Sequence, residues 1–240
     1  MAEPLLRIQN VSRVFPDGTA ALNSVSFLLL PGEFAVICGR NGSGKSVLMS
    51  LIAGLDEPTS GTICAPDAGL VFQNADAQIL GETPEEDILF SLRAMKMEKK
   101  LRAEKAEAAL KQCGLLEKRR AQARLLSGGE KRRLAVAGIL AMERELIIFD
   151  EPFANLDYPG VRQVCAILQE LKAQRKTVIV LTHELEKILG IADRFIVLDK
   201  GSITFDGTPQ DGLAHNLEQW GIRNPLGSYR AAAELFWGSV

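Results

Sequence analysis

At 240 residues with 47% hydrophobic content, the chain is long enough to bury a full core, as one large domain or as a core carrying a small inserted subdomain. A formal net charge of -2, with acidic and basic residues interspersed through Met95 to Arg124, leaves no electrostatic footprint for nucleic acid and reads as a solvated helical face. Cys38, Cys64, Cys113 and Cys165 lack C-x-x-C spacing, Met1-Ala2-Glu3-Pro4 lacks a basic leader, and no apolar run approaches the ~18 residues of a membrane span, so a soluble chain in a reducing compartment is expected, with a membrane partner still open.

In chain order, Leu5 to Val11 and Ser24 to Leu30 read as strands around the turn residues Pro16-Asp17-Gly18, and Pro31-Gly32 leads into the apolar run Phe34 to Cys38. The opening is therefore β-rich and partly antiparallel. Directly behind the run, Gly39-Arg40-Asn41-Gly42-Ser43-Gly44-Lys45-Ser46 satisfies G-x-x-x-x-G-K-[ST], followed by the helical start Val47-Leu48-Met49. The glycines let successive amides face the α- and β-phosphates of a nucleotide, Lys45 reaches the β- and γ-phosphates, and Ser46 offers its hydroxyl to Mg²⁺. A plain glycine-rich turn explains less of the pattern.

Leu70-Val71-Phe72 forms another strand end, and the uncharged amide of Gln73 behind it suits contact with Mg²⁺ or an attacking water. From Glu85 to Met142 the composition shifts to Ala, Lys, Glu, Arg and Leu, predicting three or four helices punctuated by Gly114 and Ser127. Within that stretch Leu126-Ser127-Gly128-Gly129-Glu130 fits a capping box, with Ser127 and Glu130 satisfying helix donors. Capping does not explain Gly128 and Gly129, since each glycine costs roughly 1 kcal/mol against alanine inside a helix and less near its end. A helix N-terminus with bare amides attracts anions, and phosphate is the anion already implied.

Leu146 to Phe149 and Thr177 to Leu181 are continuous apolar runs of the kind buried on both faces of a parallel sheet. The first ends in Asp150-Glu151-Pro152, placing one carboxylate for Mg²⁺ and a second, Glu151, to polarise a water as general base. The second is followed by His183, whose imidazole beside Glu151 can hold the γ-phosphate and water in register. Between them Pro159 opens a helix whose Val161, Val164, Cys165, Leu168 and Leu171 form a core stripe. Phe195 to Leu198 and Ile203 to Phe205 read as a hairpin across Lys200-Gly201, ahead of a tail with Leu213, Leu217, Trp220 and Ile222 at helical spacing. Phe15 is a candidate to stack on adenine, with a core position nearly as good a reading, and His215 is assigned no role.

Taken together, Gly39 to Ser46, Gln73, Leu126 to Glu130, Asp150-Glu151, Asn155-Leu156-Asp157 and His183 resemble, in order, the Walker A, Q-loop, signature, Walker B, D-loop and switch histidine of ABC ATPases. The resemblance spans essentially the whole chain. It implies an α/β fold, a P-loop NTPase (RecA-like) core with an antiparallel β subdomain, about 1–84 and 143–206, an inserted α-helical subdomain, about 85–142, and a tail, about 207–240, all within one ABC ATPase domain. It further implies head-to-tail pairing with a second ATPase subunit, identical or paralogous, around two ATP molecules, so that Ser127 and Gly129 reach the γ-phosphate bound by the other protomer. Gly128, Glu130 and Asp157 join the nucleotide site on the same grounds.

A narrower similarity, carried by Val71 to Ile79, Glu85 to Ile88, Leu126 to Gly138 and Asp206 to Arg223, is to the ATPase subunits of energy-coupling factor transporters and related cobalt and nickel importers. Ala75 stands where that family usually has proline, and Phe153-Ala154-Asn155 where Thr-Ala-Gly is common. The similarity implies a transmembrane coupling subunit, a substrate-binding membrane subunit, residence at the cytoplasmic face of the membrane, and a groove from Asn74 to about Leu92 that receives coupling helices. A soluble ABC protein acting on DNA or ribosomes would carry long coiled coils or two cassettes, which this chain lacks, and a P-loop kinase has no use for Leu126 to Glu130.

Overall fold

A computed structural model describes residues 3–227, so the end of the expected tail, 228–240, lies outside the described residues. The chain opens with β1 (Leu6–Val14) and β2 (Ala20–Leu29), paired antiparallel with Leu6 opposite Leu29 and Val14 opposite Ala20. Both strands run longer than their apolar cores suggest, because the ladder continues through polar residues up to the turn at Pro16. Ile8 and Val11 both face inward although three positions apart, an odd step that the left-handed Asn10 (φ 49°) absorbs as a bulge with a register shift. A strand not anticipated, β4 (Ser60–Cys64), covers the free edge of β1. Its Ser-Gly-Thr-Ile-Cys sequence is mostly exposed and carries no apolar alternation, since an edge strand is held by backbone pairing rather than burial.

The main sheet has the order β5-β6-β7-β3-β8-β9, formed by β3 (Phe34–Cys38), β5 (Ala68–Val71), β6 (Leu146–Asp150), β7 (Thr177–Leu181), β8 (Arg194–Asp199) and β9 (Ser202–Gly207). Every pairing is parallel except β8 with β9. Its central strands are buried end to end, and the period of two sends alternate residues into separate cores. Ala35, Ile37, Leu146, Ile148, Ile179 and Leu181 face the three-stranded sheet and α1 (Lys45–Ile52). Phe34, Val36, Ile147, Phe149, Val178 and Val180 face the helical side.

On that side α2 (Pro84–Ala94), α3 (Lys99–Gln112) and α4 (Gly128–Ala141) pack on one another. Helix α2 starts where Thr83 accepts the Glu86 amide, with Pro84 and three acidic residues in its first turn. Helix α5 (Tyr158–Ala173) buries Val164, Leu168 and Leu171 along the expected stripe, with Val161 and Cys165 half-buried at its margin. Beyond the β8–β9 hairpin, Thr208 caps the short α6 (Pro209–Leu213), and Leu217 and Ile222 return to the core. His215 sits among aromatic rings, 5.2 Å from Phe205 and 5.4 Å from Trp220 between centroids.

All four cysteines are free, and burial pushes the Cys38 and Cys113 thiols up to about 12, far from reactive thiolate. No helix among the described residues is long and apolar enough to cross a membrane.

Candidate active site

Neighbouring parallel strands end at one edge, and that brings the motifs together. Strands β5, β6, β7 and β3 lie side by side, and their C-terminal ends release Gln73, Asp150-Glu151, His183 and the phosphate loop in turn. These groups converge on a cavity of about 550 Å³ whose wall includes Phe15, Asn41, Gly42, Gly44, Lys45, Ser46, Gln73, Asp150, Glu151 and His183. Gly39, Arg40 and Ser43 stand outside that wall and support it.

The loop's glycines are dictated by their own surroundings. A Cβ on Gly39 would run into the Leu198 carbonyl oxygen, and Gly44, at φ 103°, would bring one within 2.5 Å of the Ala21 oxygen. The loop ends as the N-terminus of α1, where Lys45 is 7% exposed and its Nζ donates to the carbonyls of Gly39 (2.7 Å) and Arg40 (3.2 Å). Both bonds run to backbone carbonyls of the phosphate loop itself, which fixes the ammonium beside the loop.

Asp150 and Glu151 are each 8% exposed. Burial raises the Asp150 carboxyl above its ordinary range and the neighbouring Glu151 charge adds to this, while Lys45, Arg132 and a hydrogen bond with Ser46 act in the opposite direction. Glu151 adopts φ 44°, a left-handed conformation unusual for a side-chain-bearing residue. It is held there by its own amide, which donates to Leu181 O at 2.8 Å, by Thr182 Oγ1, which donates to Oε2 at 3.1 Å, and by His183 Nδ1, 2.9 Å from Oε1. A carboxylate can only accept, so Nδ1 carries the hydrogen. Phe15 is half-buried in the cavity wall, with the Arg13 guanidinium 5.4 Å above its ring, which removes it from the core.

The pentapeptide lies elsewhere. Ser127, Gly128, Gly129 and Glu130 line a second cleft of about 380 Å³ together with Asn155 and Asp157, and that cleft shares no residue with the first. Both halves of the capping box form, the Ser127 amide donating to Glu130 Oε2 at 2.9 Å and the Glu130 amide to Ser127 Oγ at 3.3 Å. A hydrogen bond from Lys118, then the Ser127 amide, hold the Glu130 carboxyl below its ordinary range. A Cβ on Gly128 or Gly129 would meet nothing within 4 Å. Asp157 caps α5 by accepting the Gly160 amide at 2.9 Å, and Asn155, at φ 59°, occupies the left-handed region that Asn tolerates better than most residues.

Three residues at the site carried no sequence signal. Thr182 is hidden inside an apolar strand end, Arg132 sits in a basic run that looks like surface, and Gly221 lies far along the chain, where its Cβ would come within 2.5 Å of Arg40 Cδ.

The ABC transporter family profile matches residues 22–154. The chain is 38% identical over 244 aligned positions, 94% of this chain and 87% of the relative, to the energy-coupling factor transporter ATP-binding protein EcfA1 of Geobacillus kaustophilus. It is 35% identical to EcfA of Methanosarcina acetivorans, across 92% of this chain and 86% of that one. Among solved structures it is similar to cbiO1 from Clostridium perfringens, part of the ABC transporter complex cbiONQ, with TM-score 0.81 and 29% identity over 89% of this chain and 92% of that one. It is also similar to the ATP-binding cassette MJ0796, solved as a dimer in a post-hydrolysis state bound to ADP and Pi, with TM-score 0.76 and 26% identity over 85% of this chain and 98% of that one.

Proposed function

The chain belongs to the ABC transporter family of ATP-binding proteins, and from that membership we propose that it is the ATP-hydrolysing subunit of an energy-coupling factor-type importer, powering uptake of a vitamin or a cobalt or nickel ion. The observation that carries this reading is the split between the two clefts, one gathering phosphate-binding and acidic groups, the other presenting Ser127, Gly128 and Gly129 to open space. On this reading the second cleft closes on the ATP of another ATPase subunit, identical or paralogous, and the dimeric state of the MJ0796 relative supports it.

Within the first cleft, loop amides and Lys45 hold the phosphates, Phe15 stacks on adenine, and Glu151 takes the proton of an attacking water. Thr182 and His183 fix the carboxylate's orientation, and the strain at Glu151 is the cost of aiming it. Ser46, Asp150 and Gln73 suit Mg²⁺: their donors are all oxygens, and one carboxylate beside a hydroxyl matches a cation that shares its coordination with substrate phosphates. Bound there, Mg²⁺ supplies neutralisation of the charge on the β- and γ-phosphates. The protein acts at the cytoplasmic face of the membrane through a transmembrane coupling subunit and a substrate-binding membrane subunit.

Two measurements test the proposal. Glu151→Gln keeps ATP binding, loses at least about a hundredfold in turnover and forms an ATP-stabilised dimer on size-exclusion chromatography; normal hydrolysis in that variant removes Glu151 from its role. Affinity purification from native membranes recovers an integral membrane protein, whereas recovery of soluble or nucleic-acid partners alone overturns the importer reading.

A further inference from the structure

Arg132 occupies the first turns of α4, two residues past the capping Glu130, and is 4% exposed. Its Nη1 donates to the Phe72 carbonyl at 2.6 Å, and its Nη2 to the Gln73 carbonyl at 2.5 Å and more distantly to that of Ala154 at 3.5 Å. These hydrogen-bond partners are backbone oxygens from two loops, one leaving β5 toward Gln73, the other leading to Asn155 and Asp157. All three segments line a cleft of about 430 Å³, and Gln73 lies in the wall of both that cleft and the nucleotide cavity.

A buried guanidinium whose two terminal nitrogens meet carbonyl dipoles while its Nε has no partner is an expensive way to fill space, and burial does work against its charge. A neutral chain of similar length would pack without that penalty. What the guanidinium alone supplies is a rigid planar fork, able to engage two successive carbonyls at once. We infer that Arg132 is a positioning residue that clamps the Gln73 loop and the Ala154 loop to helix α4, so that the groups around the nucleotide and the glycines offered to a partner's nucleotide move as one unit. The inference rests on the reading proposed above, in which those two clefts belong to one reaction.

The hydrogen bonds of Arg132 go to backbone carbonyls, and its charge reaches Asp150 only through space, so its loss should leave ATP binding nearly unchanged and lower turnover. In the full chain assembled with its partners, Arg132→Gln is expected to reduce kcat by about tenfold or more, since small misplacements of catalytic groups carry costs of that order, with KM for ATP within about twofold. Arg132→Lys, which keeps the charge but can reach fewer carbonyls, is expected to recover an intermediate kcat. Unchanged kcat in Arg132→Gln overturns the inference, as does a parallel fall in kcat and ATP affinity with no recovery in the lysine variant, which is what lost packing alone would give. If Arg132→Gln does not fold, Arg132→Lys carries the test: a wild-type melting temperature with reduced kcat supports the clamp, and wild-type kcat overturns it. Glu151→Gln measured alongside separates the failures, because full turnover there sinks the proposed site itself, whereas lost turnover there with unchanged Arg132→Gln sinks only the clamp.

Discussion

Two glycine-rich turns, each opening a helix, obey different rules in this molecule. In the phosphate loop the chain's own atoms demand glycine: Gly39 is pressed against the Leu198 carbonyl, and Gly44 combines φ 103° with a close approach to the Ala21 oxygen. At the start of α4, Gly128 and Gly129 have no such neighbours and no positive φ, so nothing in their own chain requires them. Helix propensity there favours alanine. A residue that its own fold would replace calls for something that approaches from outside, which is why we propose that the first turn belongs to a site this chain completes and the second to a site completed only on assembly.

Substituting alanine in each turn should break the comparison in opposite directions. Gly44→Ala forces a Cβ into backbone and into a left-handed conformation, so it should lose about 1–3 kcal/mol of stability and most ATP binding, read by thermal unfolding and nucleotide titration. Gly129→Ala should leave unfolding unchanged or raise the melting temperature slightly, a helical gain of up to ~1 kcal/mol, while turnover of the assembled complex falls by about a hundredfold. Equal stability losses at the two positions would erase the distinction.

A smaller effect separates the clefts by charge. Lys118 and the Ser127 amide hold Glu130 below its ordinary carboxyl range, so its stabilising contribution is present above pH 4.5 and is lost as pH falls through the lowered folded-state value. Acidification across that window should lower the melting temperature of the unsubstituted chain by about 1–3 °C more than that of Glu130→Gln, given the few degrees per kcal/mol of a chain this size. Identical acid dependence would show that the carboxylate adds nothing to the cap.

Much of this was legible in the sequence, for physical reasons that differ by region. Strands β3, β6 and β7 are buried on both faces, so they read as continuous apolar runs, and each is followed by chemistry that only a strand end can present. The capping box at Ser127 and Glu130 is local, and local patterns survive without the fold. What stayed hidden depends on contacts distant in sequence. The edge strand β4 is held by pairing with β1, Arg132 meets Phe72 across 60 positions, and Gly221 meets Arg40 from the far end of the chain. Thr182 reads as one more strand residue until Glu151 is found beside it.

The central claim is that Gly129 serves an ATP molecule held by another subunit. It is tested most directly by titrating ATP into the isolated Gly129→Ala chain at concentrations where it is monomeric. The account predicts a dissociation constant within about twofold of the unsubstituted chain's, a difference of less than ~0.5 kcal/mol. A tenfold or greater loss of affinity in the monomer would place the glycine at the chain's own nucleotide and contradict the account.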